Sequence, residues 1–263
     1  MYDDKWSSLV TVEKHLITLE NEGIVVIPKV LSKSSLNSLI QELEIARQQD
    51  LDDRPNAFDS GMVHNCVARG EEMAVLLDNE QMGLYINTCF SDTCIVYAYQ
   101  SSSLPPNGGN YGSRVHVDCP RFIPGYDTNM GVIFALNDFT MENGATYYMP
   151  GSHKLEKLPS DEQFYAEAKR ACCEAGDMII LKTRLVHAAG INKTDTIRHA
   201  LTINFCRSYM RQRFDLPRLL SKNTINRLGV QGRRLIGMNV RVPTTLDQFY
   251  LPEGQRLYKP NQG

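Results

Sequence analysis

The feature that most constrains the fold is a change in the character of the sequence at Cys94. From there on, short runs rich in β-branched and aromatic residues alternate with glycine and proline clusters, as in an all-β sandwich or barrel. Seven runs are candidate strands: CIVYAYQ (94–100), RVHVD (114–118), MGVIFALNDF (130–139), ATYYM (145–149), DMIIL (177–181), RLVHAA (184–189) and HALTINFCRSY (199–209). They predict a β-core over residues 94–209.

The N-terminal part has a helical pattern. Val12, Leu16 and Leu19 recur at helical spacing before Gly23, which predicts a helix over residues 12–22 behind Thr11 as cap. A β-branched run, GIVVIPKVL, follows, and a second helix is predicted after Ser32. Residues 52–69 are polar and aperiodic, which indicates a long loop that can act as a lid, and residues 71–86 are predicted to be helical.

We therefore expect one domain over residues 1–263: a mostly helical N-terminal wrap and lid (1–93), the β-core (94–209) and a C-terminal extension (210–263). The region from 207 to 241 is strongly basic. This excess favours a solvated helical face or an oligomer contact, such as a homodimer, over attraction of an anionic substrate. Its charged residues are nine cations and one acid: Arg207, Arg211, Arg213, Arg218, Lys222, Arg227, Arg233, Arg234, Arg241 and Asp215.

Composition excludes several classes of function. The formal net charge of -2 does not favour a nucleic-acid partner, and 42% hydrophobic with 22% charged residues is typical of a globular chain. No apolar run is long enough to span a bilayer, and the acidic start MYDDKWSSLV is unlike a signal peptide, so we expect a cytoplasmic protein without a membrane partner. Seven cysteines without a C-x-x-C pair indicate reduced thiols rather than disulfides or a zinc ribbon.

The sequence SRVHVDCPRF contains the first chemical candidate, His116-Val117-Asp118. Alternate residues of a strand point to one face, so His116 and Asp118 would project together. Such a pair is weak by itself and needs a third ligand. Of the six histidines, His15 lies on the predicted first helix, His64 in the loop, His153 after a turn where it looks exposed, and His199 beside an arginine.

His187, in AGDMIILKTRLVHAAG, is the remaining histidine. Two imidazoles and one carboxylate leave positions open on a metal, as in non-haem Fe(II) oxygenases, whereas structural zinc uses four protein ligands. Arg198 follows in the next predicted strand, where its guanidinium can hold a carboxylate through two hydrogen bonds.

Together these residues resemble the phytanoyl-CoA dioxygenase family of iron- and 2-oxoglutarate-dependent oxygenases. The resemblance rests on H-x-D at 116–118, ENGATYYMPGSHK at 142–154, AGDMIILKTRLVHAAG at 175–190, and an arginine eleven positions after His187. NEGIVVIPKVLSKSSLNSLIQEL also looks like the N-terminal segment of that family.

The resemblance implies a mainly β fold with flanking α-helices and a double-stranded β-helix core, also called a jelly roll and cupin-like. It implies Fe(II) held by His116, Asp118 and His187, and 2-oxoglutarate held through Arg198, with O2 as co-substrate. The substrate would be a small organic molecule, hydroxylated by default, with desaturation, epoxidation or rearrangement as other outcomes, and a role in secondary metabolism is expected. Asp118 stands where related halogenases have alanine, which disfavours chlorination.

Two departures from the family leave roles open. Ala189 replaces a hydroxyl residue that assists the far carboxylate in many relatives, so Thr196 or Tyr99 would supply the hydroxyl, and Thr146 would line the same site. Arg114 stands where relatives often have glutamine or tryptophan; it either faces the pocket or forms a surface salt bridge. Further candidates for substrate contact are Asn65 and Tyr97.

Two other functions remain open from the sequence. The first is a cupin-like protein that binds metal or ligand without turnover. The second is a zinc-dependent hydrolase or isomerase with the same three ligands, which has no need of Arg198.

Overall fold

The computed structural model describes residues 3–57, 59 and 61–262. The helices are α1 (Asp3–Glu22), α2 (Lys33–Asp53), α3 (Glu71–Val75), α4 (Glu80–Cys89), α5 (Asp161–Glu167), α6 (Leu216–Leu219), α7 (Lys222–Arg227), α8 (Val230–Leu235) and α9 (Leu246–Phe249). Short 3-10 helices lie at Cys66–Ala68, Leu76–Asp78, Tyr111–Ser113, Ser152–Lys154 and Glu253–Gln255. The strands are β1 (Ile24–Ile27), β2 (Ile95–Ser101), β3 (Asn129–Ala135), β4 (Thr146–Tyr148), β5 (Lys169–Ala171), β6 (Met178–Lys182), β7 (His187–Ala188) and β8 (Ala200–Cys206).

The N-terminal helices follow the sequence with two differences. α1 ends at the left-handed Gly23 (φ +84), as predicted, but it begins well before Thr11. The Ser32 hydroxyl caps α2 by accepting from the Ser35 amide at 3.1 Å. The helix predicted over residues 71–86 is divided, because Asn79 leaves the helical conformation (ψ 119) and caps α4 with its side chain. In the predicted lid, residues 58 and 60 lie outside the described residues.

The strands form two antiparallel sheets. The larger has the order β1-β6-β3-β8-β2 and the smaller has the order β5-β4-β7. β1, from the predicted N-terminal wrap, is therefore an edge strand of the larger sheet. The run RVHVD is not a strand: of its residues only His116 pairs, in an isolated bridge to His187, because the facing strand β7 is only two residues long. β7 is likewise shorter than predicted, because the Leu185 amide turns back to Lys182 O at 2.9 Å.

The larger sheet separates two apolar layers. One face packs against the helices α2, α3 and α4 through a cluster that includes Val132, Phe134, Ile180, Ile203, Phe205, Leu39, Leu43, Met73, Leu77 and Ile86. The other face packs against the smaller sheet through Ile133, Ala135, Ile179, Leu181, Ala200, Phe139, Ala145, Ala171 and Leu185. Any ligand held between the sheets therefore meets the second face.

In the described part of the chain, the two longest helices, of 20 and 21 residues, contain more residues than the eight strands together. The expected flanking helices are therefore more extensive than the sequence indicated, because α1 begins earlier than predicted. No helix that the structure describes is long and apolar enough to cross a membrane.

The basic C-terminal segment is anchored rather than simply solvated. Arg207 donates to Phe90 O at 2.7 Å, and Arg234 donates to Cys94 O at 3.2 Å. The Asp78 carboxylate accepts from the amides of Gly229 and Gly232 at 2.8 and 2.7 Å, at the N-terminus of α8. These contacts hold the extension against α4 and β2.

Candidate metal centre

His116 and His187 face each other across the isolated bridge. Each amide donates to the carbonyl of the other residue at 3.0 Å, and the two imidazole centroids are 4.3 Å apart. Residues directly opposite in an antiparallel pair project to the same side. Asp118 follows His116 by two residues, so all three side chains reach one point, as the sequence predicts.

The three side chains lie within the reach of one ion. His116 Nε2 is 3.6 Å and His187 Nε2 is 3.9 Å from Asp118 Oδ1, and one ligand atom from each residue lies within 4.8 Å of the others. Ligand atoms at about 2.0–2.2 Å from a common ion lie at most about 4.4 Å apart, so small shifts suffice to bind one. Among the described residues, no fourth His, Cys, Asp or Glu joins this group.

The backbone fixes both imidazoles. His116 Nδ1 donates to Arg114 O at 2.8 Å, and His187 Nδ1 donates to Leu185 O at 2.9 Å. Because a carbonyl oxygen only accepts, the proton lies on Nδ1 and the lone pair on Nε2 points toward Asp118. Both histidines are thus prepared as Nε2 ligands.

The charges suit a divalent cation. Burial acts to raise the pKa of Asp118, but at the acidic pH where a carboxyl titrates the imidazoles are protonated, and a hydrogen bond from His116 and the charges of His187, His116 and Arg213 bring that pKa below its usual value. Burial lowers the pKa of His187. An ionised carboxylate and neutral imidazole are the forms that bind metal. The side chains of His116 and Asp118 remain 21% and 25% exposed, so the centre can be approached from solvent.

Arg198 is a buried cation without an acidic partner among the described residues. It is 2% exposed, its Nη1 and Nη2 donate to Gly144 O at 2.9 Å and Ser102 O at 3.0 Å, and its Nε has no partner. Burial lowers the pKa of Arg198 to about 9. The guanidinium lies 4.0 Å from the Phe139 ring, between the two sheets. A carboxylate ligand would supply the missing charge, so the residues fit 2-oxoglutarate.

The other three residues predicted to contact the co-substrate lie in different parts of the fold. Thr146 is buried opposite Ala171, a residue of the layer between the sheets, and so lies on the expected face. Tyr99 pairs with Ile203 and belongs to the cluster that faces the helices. Thr196 is exposed in a turn, where its carbonyl accepts from Asn192. Replacement of the hydroxyl absent at Ala189 by Tyr99 or Thr196 stays a prediction.

The candidates for substrate contact lie on different segments of the chain. Arg114 is exposed, and its guanidinium stacks 3.5 Å from the centroid of the Tyr111 ring; its contact with a substrate stays a prediction. Asn65 lines a cavity beneath the predicted lid. Tyr97 occupies an irregularity in β2, where the pairing shifts between Val96 and Ala98.

Arg213 is a further candidate that the sequence did not single out. Its amide donates to Tyr97 O at 2.9 Å, its Nη1 donates to Gln100 Oε1 at 3.0 Å, and its charge acts on Asp118. The only signal in the sequence is the basic excess after residue 207, which does not distinguish one arginine from another. His153, predicted to be exposed, is partly buried, and its Nε2 donates to Glu20 O at 3.1 Å.

Sequence comparisons relate the chain to known proteins. The sequence profile of the family described as phytanoyl-CoA dioxygenase matches residues 19–200. The uncharacterized protein Rv1501 of Mycobacterium tuberculosis is 27% identical over 92% of both chains. The iron/alpha-ketoglutarate-dependent dioxygenase ausU of Aspergillus calidoustus is 24% identical over 89% of this chain and 83% of its own.

Solved structures share the fold. AviO1 from Streptomyces viridochromogenes superposes with a TM-score of 0.64 and 20% identity, over 76% of this chain and 96% of its own. The epimerase SnoN, in complex with Fe3+, alpha ketoglutarate and nogalamycin RO, gives a TM-score of 0.60 and 18% identity over 75% of this chain and 84% of its own.

Proposed function

The chain belongs to the phytanoyl-CoA dioxygenase family, and from this premise we propose that it is an iron- and 2-oxoglutarate-dependent dioxygenase that oxidises a small organic molecule in secondary metabolism. One observation carries the proposal: two imidazoles and one carboxylate converge without a fourth His, Cys, Asp or Glu among the described residues. We assign the two packed antiparallel sheets to a double-stranded β-helix within a single domain.

His116, Asp118 and His187 would hold the iron through Nε2, a carboxylate oxygen and Nε2. When bound, iron and 2-oxoglutarate supply the activation of O2 and the oxidising equivalents, with succinate and CO2 as co-products. The protein contributes the orientation of these ligands. Since Arg114 O and Leu185 O keep the proton on Nδ1 of each imidazole, Nε2 remains free to coordinate.

Arg198 would hold the far carboxylate of 2-oxoglutarate. Its unpartnered Nε and the remaining protons of its two Nη atoms are available for this, because the two carbonyl oxygens use one proton each. Thr146 would line the same space. Fixing this carboxylate sets the position of the opposite end of the molecule, so the arginine acts as a positioning residue for the iron ligands of the co-substrate.

Apolar side chains exclude water from behind the metal. Val186 and Ala188, on either side of His187, are buried against Met149 and Phe164, with Val115 packed beside them. Substrate and O2 must then approach from the side on which His116 and Asp118 remain partly exposed. Confinement of this kind limits side reactions of the oxidised centre.

The proposal is tested by incubating the purified protein with 2-oxoglutarate, O2 and Fe(II), and measuring succinate. We expect iron-dependent succinate formation, at least slowly without substrate. His116→Ala and His187→Ala should lose iron binding and turnover together, whereas His15→Ala, on α1, should retain both.

Three results would contradict the proposal. Iron retained at wild-type affinity in either ligand variant would remove the metal assignment. Iron binding without any succinate would indicate a non-catalytic binding protein, and hydrolytic activity with zinc that survives Arg198→Ala would indicate a hydrolase.

A further inference from the structure

A cavity of about 570 Å³ lies beneath the loop that follows α2. Its apolar wall includes Ala57, Met62 and Phe214, and its polar wall includes Asn65 and Arg213. The loop and the strand β2 are joined here, because His64 forms a bridge with Gln100. This volume is large enough for a small organic molecule.

The acids of the cavity are already paired. Asp50 contacts Arg54 and also Arg69, at 2.9 Å, and Asp59 contacts His64. Arg213 differs, because its guanidinium contacts only neutral groups among the described residues, the amide oxygen of Gln100 at 3.0 Å and the ring of Tyr97, whose centroid is 5.5 Å away. The cavity therefore offers one guanidinium to an anion.

Asn65 adds a hydrogen-bond acceptor to the wall of the cavity. Its Oδ1 is buried and has no hydrogen-bond partner among the described residues. The residue is held in the left-handed conformation (φ 56) at the start of the 3-10 helix Cys66–Ala68. A buried acceptor without a donor is costly, so a ligand that brings an N–H or O–H is favoured.

Arg213 joins this cavity to β2. The residue lines the cavity, its amide donates to Tyr97 O at 2.9 Å, and its guanidinium lies 5.5 Å from the centroid of the Tyr97 ring. Its positive charge also acts to lower the pKa of Asp118, one of the three candidate metal ligands. A molecule whose anionic end meets Arg213 is therefore held against β2.

We propose that this cavity binds the substrate, and that the substrate is a small amino or hydroxy acid whose carboxylate pairs with Arg213 and whose amino or hydroxyl group donates to Asn65 Oδ1. This inference rests on the proposed function, since it names the substrate class of the same centre. Arg213 is then the residue that selects acids over neutral molecules.

The experiment uses a defined panel as probe: the twenty proteinogenic L-amino acids and their α-hydroxy analogues, each beside its carboxamide. Stimulation of succinate formation above the substrate-free rate is measured first. We expect at least one acid to stimulate turnover, while its carboxamide, which lacks the negative charge, does not. The most active acid is then titrated calorimetrically into Mn(II)-loaded protein, which measures binding without turnover.

Arg213→Gln should weaken binding of that acid about 10- to 100-fold, and it should raise KM with a smaller change in kcat. Arg213→Lys should recover part of the loss. The matched control is Arg211→Gln, an exposed arginine two residues earlier that lines a neighbouring cleft, which it shares with Arg213, but does not line this cavity. It should bind the acid as the wild type does.

The variant Asn65→Asp distinguishes an amino-acid substrate from a hydroxy-acid substrate. Aspartate tolerates the left-handed backbone conformation of residue 65. Its added charge should strengthen binding of an amino acid, whose ammonium donates, and weaken binding of a hydroxy acid. No change for either would overturn the role of Asn65.

The proposal is overturned if no acid of the panel stimulates turnover, if acids and carboxamides act equally, or if Arg213→Gln binds the acid as tightly as Arg211→Gln does. Its failure is distinguishable from failure of the proposed function, because the substrate-free formation of succinate depends on iron and 2-oxoglutarate alone.

Discussion

Replacing Arg198 with methionine removes the guanidinium and keeps much of the side-chain volume. The wild-type residue directs one Nη atom to Gly144 O and the other to Ser102 O, at 2.9 and 3.0 Å, and has an unpartnered Nε. In the variant, the far carboxylate of 2-oxoglutarate would be buried without a counter-charge. We therefore expect a specific loss of co-substrate binding.

The size of the expected loss in 2-oxoglutarate affinity follows from the burial of Arg198. Removing one partner of a buried ion pair costs about 3–5 kcal/mol, which corresponds to about 100- to 5000-fold weaker binding of 2-oxoglutarate. The two carbonyls that lose donors cost about 1–3 kcal/mol each, but the variant no longer buries an uncompensated cation. The free energy of unfolding without ligand should therefore fall by no more than about 2 kcal/mol.

The assay is calorimetric titration of 2-oxoglutarate into Mn(II)-loaded protein, with urea denaturation as the measure of stability. Arg170→Met is the matched control, because Arg170 also donates to backbone carbonyls, Ala145 O at 2.9 Å and Met141 O at 3.2 Å, and also stacks on an aromatic ring, that of Tyr147. Binding by Arg198→Met within threefold of the wild type, or an equal loss in both variants, would refute the assignment.

Two further predictions concern the fold. Burial lowers the pKa values of His187 and His199, so the unfolded chain binds more protons below the ordinary histidine pKa of about 6.5. The free energy of unfolding of the metal-free protein should then fall between pH 7.5 and 5.5 in urea denaturation, and a constant or rising value would contradict this. Gly144→Ala should destabilise by about 2–4 kcal/mol, because φ is +86 and the new Cβ would lie 2.6 Å from Leu104 Cδ1. Gly61 also has a positive φ (+90), but an added Cβ there would meet no atom within 4 Å, so Gly61→Ala should lower the free energy of unfolding by only about 1 kcal/mol. An equal loss of stability in the two variants would show that the contact with Leu104 does not contribute.

The sequence predicted the elements whose patterns are local. The continuous apolar run Met178–Lys182 and the caps of α2 needed no knowledge of distant residues. The convergence of His116, Asp118 and His187 was predicted from an alternating spacing and a third histidine, although the strand assumed for the first two is only a single bridge. A short extended segment is enough to direct alternate side chains to one side.

The sequence could not identify properties that depend on long-range packing. β2 is buried on both faces, so alternation alone cannot tell that Tyr99 faces the helices rather than the second sheet. Arg213 reaches Gln100 only because the chain after β8 runs back along β2, a path that no local pattern records. The basic excess marked the segment but not the residue.

The orientation of both imidazoles is set by carbonyl groups two positions earlier on their own chain segments. The metal ligands therefore owe their alignment to main-chain atoms, which no point mutation of a neighbouring side chain removes directly. The walls of the cavity, by contrast, are side chains of a loop and of the C-terminal extension. Such a division would let selection exchange one substrate for another while the oxidising centre stays intact, and it identifies residues 54–69 and 211–214 as the segments to randomise when a new substrate is sought.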